Sequence, residues 1–506
     1  MTSSSSAIET LAMREQYRDW YLQRRDPIAE DRMLWRAQSF RHIMHVMPGQ
    51  TILELGCGRG FFTRQVVQVT RGENPISAVT FASDSGSFIS NHKQVEYMCT
   101  KELPGSLGNK QFDYIVALDL LDRRNCSWTL EIVSQILKPG GHVLFYESNP
   151  WNIVLRVRQT FGQWLGRVDP RLLLSRSEVG GMMSEVGFIR VFSIYNDFVY
   201  APLTPGLVSP LRSLSILLEN TPGVRTLAGS ILVHGHKPPR VVETEKTSLF
   251  VHERLRHAVS VVIPCYNEEN NIEPLINKLR CLYDEYIHEI IPVEDNSQDN
   301  TRVVIRKLAE EDHRIKPVFR TPPNGVGRAL LDGYRVVTGR YVLSMDCDFL
   351  YQLPEIRDLL DAAVEGFDVV VGSRFSRHSV LLNYPFPKIL ANRGFHLLAR
   401  IILLCRLRDL TNNLKLLRRE VIEHLQLQEP DFAVNAEIGL QPLLMGFSLK
   451  EVPISWINRT PEMGTSSFRL LKFGGGYGRV LWRLFLKRWF GLGIYKHLTM
   501  VKAGER

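Results

Sequence analysis

Tyr341-Val342-Leu343-Ser344-Met345-Asp346-Cys347-Asp348 is an apolar run closed by two carboxylates that stand two positions apart. A short apolar run with a polar end reads as a buried strand of an open α/β sheet, and such sheets bind their ligands at strand C-termini. On an extended chain, side chains two positions apart share a face. Asp346 and Asp348 could then hold one hard divalent cation, Mg2+ or Mn2+, with phosphate oxygens completing its shell. Two earlier runs end in the same way. Residues 259–263 lead into Pro264-Cys265-Tyr266-Asn267-Glu268-Glu269-Asn270, and a second run ends in Val293-Glu294-Asp295-Asn296-Ser297. A bare Asp-x-Asp is common by chance, whereas one that follows these two polar strand ends in order is specific.

Taken together, these motifs resemble glycosyltransferase family 2, of GT-A fold, and more narrowly the polyprenyl-phosphate (dolichol-phosphate) mannosyl- and glucosyltransferases. The narrower likeness rests on Asn324-Gly325-Val326-Gly327-Arg328-Ala329, Val371-Gly372-Ser373-Arg374-Phe375, Asp409-Leu410-Thr411-Asn412-Asn413 and Glu451-Val452-Pro453-Ile454. The resemblance implies a nucleotide-sugar donor of GDP-mannose or UDP-glucose type and an inverting, metal-dependent hexose transfer. It implies that Pro264, Tyr266, Glu268 and Asp295 surround base and ribose, and that Asp346 and Asp348 carry the metal that bridges the diphosphate. In the family a Gln often follows the second Asp by two positions. Gln352 lies four positions on, which leaves that ligand role open.

The acceptor divides two readings. A sugar hydroxyl needs a carboxylate base, for which Glu437 or Asp431 would serve. A polyprenyl phosphate presents an oxygen already anionic at neutral pH and calls for arginines instead. Arg374, Arg393 and Arg459 stand at positions similar to the phosphate-binding arginines of the lipid-phosphate enzymes, which favours the lipid phosphate over a glycan or small-molecule acceptor. The catalytic set implied is then Asp346, Asp348, Arg374 and Arg459.

The N-terminal half carries a different signature. Residues 51–55 read as a strand entered from the turn Pro48-Gly49-Gln50, and they lead into Glu54-Leu55-Gly56-Cys57-Gly58-Arg59-Gly60 and a helix-like FFTRQVVQV. Glycines at this spacing allow a tight strand-to-helix turn and close approach of a ligand to the main chain. With Phe112-Asp113-Tyr114-Ile115-Val116 and Leu137-Lys138-Pro139-Gly140-Gly141 following in order, this half resembles the class I S-adenosylmethionine-dependent methyltransferases, of Rossmann-like fold. That resemblance implies that Glu54 supports the cofactor's amino-acid end while Gly56, Gly58 and Gly60 pack beneath it. An acidic residue at the tip of the second strand usually binds the ribose, but here the chain reads Ala78-Val79-Thr80-Phe81-Ala82-Ser83-Asp84. Either Asp84 is displaced into that role or the role is vacant. Asp119 and Asp122 could face a methyl acceptor or cap the next helix, and no base for methyl transfer stands out. The half is expected to be either an active methyltransferase or a non-catalytic binding module.

A length of 506 residues exceeds the roughly 100 to 200 of one ordinary domain. The expected organisation is an extension over 1–29, a methyltransferase-like domain over 30–236, a linker over 237–256, a GT-A domain over 257–468 and a basic aromatic tail over 469–506. Alternating apolar strands and helices predict a parallel α/β sheet in each half. Seven scattered cysteines without a CxxC pair suggest neither a disulfide framework nor a zinc site. A net charge of +9 invites an anionic partner. No nucleic-acid module accompanies it, so nucleic acid is not expected. The charge gathers in the tail, where Val480, Leu481, Leu484, Phe485 and Trp489 form a helical stripe with Arg479, Arg483, Lys487 and Arg488 beside it. Such a helix could lie in a membrane interface or pack on its own domain. The expected location is cytoplasmic, peripheral at the inner face of the plasma membrane, without a spanning helix.

Overall fold

The computed structural model describes residues 4–22, 27–82, 92–164, 172–199, 205–239, 248–376, 378–382, 384–405, 407–457 and 470–500. The chain divides into two units, Met1–Thr244 and Glu245–Arg506, each built on its own seven-stranded sheet.

In the first unit the strands are β1 (Ile52–Leu55), β2 (Ile76–Thr80), β3 (Val95–Cys99), β4 (Phe112–Leu118), β5 (Leu137–Ser148), β6 (Ile189–Asn196) and β7 (Ser230–His236), in the order β3-β2-β1-β4-β5-β7-β6. Strands β1 and β2 are buried along their whole length, with no alternation. That is the pattern of a sheet covered on both faces. The first five strands are parallel, but β7 runs antiparallel to both β5 and β6. The expected parallel sheet is therefore mixed toward this edge. Apolar runs separated by helices give strand identity, but not the direction in which a strand enters the sheet, and α/β sheets commonly take an antiparallel strand at an edge.

In the second unit the strands are β8 (Val259–Cys265), β9 (Ile287–Glu294), β10 (Val318–Phe319), β11 (Tyr341–Ser344), β12 (Val369–Ser373), β13 (Val380–Leu382), β14 (Lys415–Arg418), β15 (Leu449–Pro453) and β16 (Ser455–Ile457). The main sheet has the order β10-β9-β8-β11-β14-β12-β15, and β13 pairs with β16 in a small parallel sheet. Strand β14 inserts antiparallel between β11 and β12, so this sheet too is mixed. The helix Val326–Val336 crosses β8 and β9 closely because Gly333 faces them. A Cβ there would come within 2.6 Å of Val262.

The C-terminal helix Leu470–Phe490 packs on this unit through Val480, Leu481 and Leu484, all in its core. Its other face exposes Trp482, Trp489 and Phe490. The centre of the stripe is therefore core, as expected of a helix packed on its own domain, while Trp489 is half-exposed and donates its indole N–H to the Ile402 carbonyl at 3.0 Å. No helix among the described residues is long and apolar enough to cross a membrane.

Candidate active site

The parallel strands β8, β9 and β11 end side by side, with Cys265 opposite Glu294 and Ser344 opposite Val262. Their C-terminal ends open on a cavity of about 740 Å³. Pro264, Tyr266, Glu268, Asp295, Asp346, Asp348 and Arg374 all line it. The expectation of an extended Asp-x-Asp is corrected here. Strand β11 stops at Ser344 and the chain turns at 347–348, with Asp348 at φ −87° and ψ 7°. The two carboxylates reach one cavity through a turn rather than through strand alternation.

The neighbours of these residues explain several motifs. Asn413 donates from Nδ2 to Asp346 Oδ1 at 2.7 Å, and its own Oδ1 accepts from Ser344 at 2.8 Å. Asp346 is therefore held by the segment that leads into β14. Asp295 accepts the Gly325 N–H at 2.7 Å and pairs with Arg320, while burial pushes its carboxyl upward. The Gly325–Gly327 turn presses against the 429–430 backbone, where a Cβ on Gly327 would sit 2.1 Å from the Glu429 carbonyl. Cys265 and Cys347 touch, with sulfurs 3.3 Å apart, and both are buried.

Arg374 is fixed by a bidentate pair. Its Nε and Nη2 donate to Asp409 at 2.7 and 2.9 Å, and its guanidinium lies 5.4 Å from the Trp456 ring centroid. Asp409 is fully buried, which disfavours its charge, yet Arg374 outweighs burial and holds the carboxyl well below the usual range. Glu451 in turn accepts the N–H groups of Arg408 and Asp409 at 2.9 and 2.6 Å. The Glu-Val-Pro-Ile and Asp-Leu-Thr-Asn-Asn motifs thus form a chain of support that ends at Arg374.

Other expected residues fall elsewhere. Arg393 is not on the cavity wall; its guanidinium sits over Phe375 at 5.4 Å and donates to the Arg408 carbonyl at 3.4 Å. Arg459 and Asp84 lie outside the described residues. Glu437 is fully buried, and its oxygens accept the Gln428 and Glu429 N–H groups and the Tyr495 hydroxyl. It has no place on the wall, whereas Asp431 does. Gln352 is buried and also off the wall. Lining residues that the sequence reading missed include Lys388, Tyr384, Trp456 and Tyr477. Lys388 follows Pro385-Phe386-Pro387, a helix-start signal that fixes the backbone but carries no sign of what the next side chain faces.

Among the described residues no three or more His, Cys, Asp or Glu side chains gather to hold a metal. The paired oxygens of Asp346 and Asp348 suit a hard cation that takes its remaining ligands from a diphosphate and water.

In the first unit Gly56, Gly58 and Gly60 take φ of +70°, +54° and +84°, so the glycine loop adopts the left-handed turns that glycine favours. Glu54 lies buried on β1 and accepts from Thr63 at 2.7 Å, and burial raises its carboxyl to about 7. Asp119 pairs with Arg36 and accepts from Ser148, and Asp122 accepts the Arg124 N–H. The helix Ser4–Leu22 lies against the glycine loop: Asp19 Oδ2 would be 2.0 Å from a Cβ on Gly58. The loop's cradle is thus filled by the chain's own carboxylates, and S-adenosylmethionine does not fit the residues as they stand.

Comparison with known proteins assigns both units. Residues 260–426 match the profile of glycosyl transferase family 2, and residues 11–190 match a methyltransferase domain. The chain belongs to glycosyltransferase family 2 and is an enzyme that carries a methyltransferase domain ahead of its transferase domain. Polyprenol monophosphomannose synthase of Mycolicibacterium smegmatis is 30% identical over 213 residues, which covers 41% of this chain and 79% of that protein. Dolichol-phosphate mannosyltransferase of Pyrococcus furiosus is 27% identical over 274 residues, 49% of this chain and 76% of that protein. Among solved structures, glucosyl-3-phosphoglycerate synthase of Mycobacterium tuberculosis with Mn2+ and UDP-glucose matches at a TM-score of 0.36 and 21% identity, over 48% of this chain and 85% of that one.

Proposed function

We propose that the second unit transfers a hexose, with inversion, from a GDP- or UDP-sugar to a polyprenyl phosphate at a membrane surface. The observation that carries this reading is the composition of one cavity wall. The same cavity is lined by Asp346 and Asp348, by the cations Arg374 and Lys388, and by Leu398, which is 53% exposed to solvent. Carboxylates suit a cation on the donor diphosphate, cations suit a second anionic group, and an exposed leucine at the rim suits an apolar chain that leads out. The synthases of M. smegmatis and P. furiosus, whose names specify polyprenol and dolichol phosphate, support the same acceptor.

The chemistry follows from these side chains. Pro264, Tyr266, Glu268 and Asp295 bind the nucleoside end at the mouths of β8 and β9. A cation on Asp346 and Asp348 would neutralise charge that develops on the departing diphosphate. Arg374, held in one orientation by Asp409, presents a preorganised donor to the acceptor phosphate, with Lys388 as a second positive charge. The acceptor oxygen is anionic and attacks the anomeric carbon without a protein base. The burial of Glu437 agrees with that. Arg393 and Arg459 remain proposed phosphate ligands.

The surface beside the cavity supports a membrane location. The helix Phe386–Leu403 exposes Leu390, Leu397 and Ile401, next to Trp482, Trp489 and Phe490 of the C-terminal helix, with Arg400 and Arg488 on the same two helices. An apolar face with basic residues suits an anionic lipid interface. The first unit is proposed to use S-adenosylmethionine on an acceptor of the same pathway or to act as a binding module. Labelled sugar offered with polyprenyl phosphate and Mn2+ tests the main reading. Label in the organic phase supports it, and label on a soluble glycan through Asp431 as base would replace it.

A further inference from the structure

The sheet of the first unit reverses its winding between β1 and β4, and open α/β sheets hold ligands in the crevice beyond the strand C-termini at such a point. Here the first helix, Ser4–Leu22, fills that crevice with its own charges. Glu15 accepts the Gly58 N–H beyond β1 and the Phe81 and Ala82 N–H groups beyond β2, the latter two at 2.7 and 3.1 Å. Asp19 accepts the Arg59 N–H at 2.8 Å. Arg18 donates to the Leu118 carbonyl at the end of β4 at 3.1 Å and pairs with Asp19, and Arg14 donates to the Leu121 carbonyl at 3.4 Å. Glu15 and Asp19 are 1% and 7% exposed, so these bonds are dry.

Glu15, Arg18 and Asp19 stand at i, i+3 and i+4, which places them on one face of the helix. Their partners are the main-chain donors and the acceptor that a bound ligand would use at this crevice. S-adenosylmethionine brings a carboxylate, an ammonium and ribose hydroxyls. The helix brings carboxylates and a guanidinium to the same backbone atoms. We propose that the first helix is an internal plug, which occupies the cofactor crevice by charge mimicry, so that S-adenosylmethionine enters only when the helix is displaced. The proposal rests on the cofactor assigned to the first unit above. A main-chain N–H that already donates to Glu15 cannot also donate to the cofactor, so binding at these donors requires the helix to move. Displacement lowers apparent affinity by the fraction of molecules with the helix out.

The test is titration calorimetry of the full chain with S-adenosylmethionine, comparing wild type with the near-isosteric double variant Glu15→Gln, Asp19→Asn. The plug predicts affinity at least tenfold tighter in the variant. Equal or weaker binding by the variant overturns the plug and keeps the cofactor, because the carboxylates would then belong to the binding site. Absence of heat from both proteins overturns the cofactor assignment and the plug with it. Hydrogen exchange on the wild-type chain is independent of how the variant folds. Saturating cofactor should speed exchange in residues 4–22 and slow it in residues 56–60, and greater protection of the helix would contradict the plug.

Discussion

At the scale of single residues, the site depends on pairs rather than on lone groups. Arg374 and Asp409 are each at most 8% exposed and form a buried ion pair. Removing one partner of such a pair leaves an uncompensated charge. Asp409→Asn should therefore destabilise the second unit by about 3 to 5 kcal/mol, read as a lower denaturant midpoint, and should depress hexose transfer as well. Asp348→Asn instead alters a carboxylate on the cavity wall. It should leave the unfolding midpoint nearly unchanged while reducing transfer by about a hundredfold or more, and it should abolish the thermal shift given by nucleotide diphosphate with Mn2+. Much of this was legible beforehand. Pro264, Tyr266, Glu268, Asp295, Asp346, Asp348 and Arg374 meet in one cavity as their order along the strands implied. Arg393 stands off the cavity wall, because a residue's position on a helix motif does not reveal which way its side chain leaves the helix. Lys388 gave no signal for the same reason.

A second group of residues makes a pH prediction. His142, on β5, and His234, on β7, lie with ring nitrogens 3.0 Å apart, and His236 stacks on His142. Burial lowers His142 to about 2 and His234 to about 3. An unfolded histidine titrates near about 6.5, so below that pH the unfolded chain binds protons that the folded chain refuses. The histidine contribution to the stability of the first unit should be fully present above about pH 6.5 and should be lost as pH drops, by up to about 1.4 kcal/mol per pH unit for each histidine, against an opposite contribution from Glu54, Glu147 and Glu219, whose carboxyls burial raises to about 7, 8 and 7. Urea midpoints of wild type and His142→Gln between pH 4 and 7 isolate the histidine part, and the variant should gain stability relative to wild type as pH falls below about 6.5.

At the scale of elements, strands were read well and their directions were not. Apolar runs located β1, β4, β8 and β11, because a strand buried on both faces is mostly apolar along its length. The antiparallel entry of β7 and β14 depends on how the chain returns across the sheet, and no local pattern encodes that. The first helix is the clearest case of what sequence hides. Glu15 and Asp19 look like residues of a solvated helix face, and only docking turns them into ligands of the glycine loop. The two exposed helices beside the cavity carry a prediction of their own. Leu397 and Ile401 are exposed and off the cavity wall, so Leu397→Ser with Ile401→Ser should spare the donor site. Burial of each such side chain in an apolar phase is worth about 1.5 to 3 kcal/mol. Binding to vesicles that contain phosphatidylglycerol should weaken at least about tenfold in sedimentation, with nucleotide-sugar binding unchanged.

For the whole molecule, two sheets with two separate cores make two units, and each has its own crevice at strand C-termini. The second unit contains every described residue assigned to donor and acceptor, so a chain that begins at Glu245 should still transfer hexose. One polypeptide thus carries a methyltransferase domain and a glycosyltransferase domain.

The cavity at Asp346 and Asp348 is proposed to move a hexose onto a lipid-borne phosphate. Incubation of the full chain with radiolabelled GDP-mannose or UDP-glucose, Mn2+ and a polyprenyl phosphate, followed by organic extraction, tests it most directly. Label should appear in the organic phase with wild type and be lost with Asp348→Asn. Transfer of label to a soluble glycan or small molecule, with none in the lipid fraction, would contradict it.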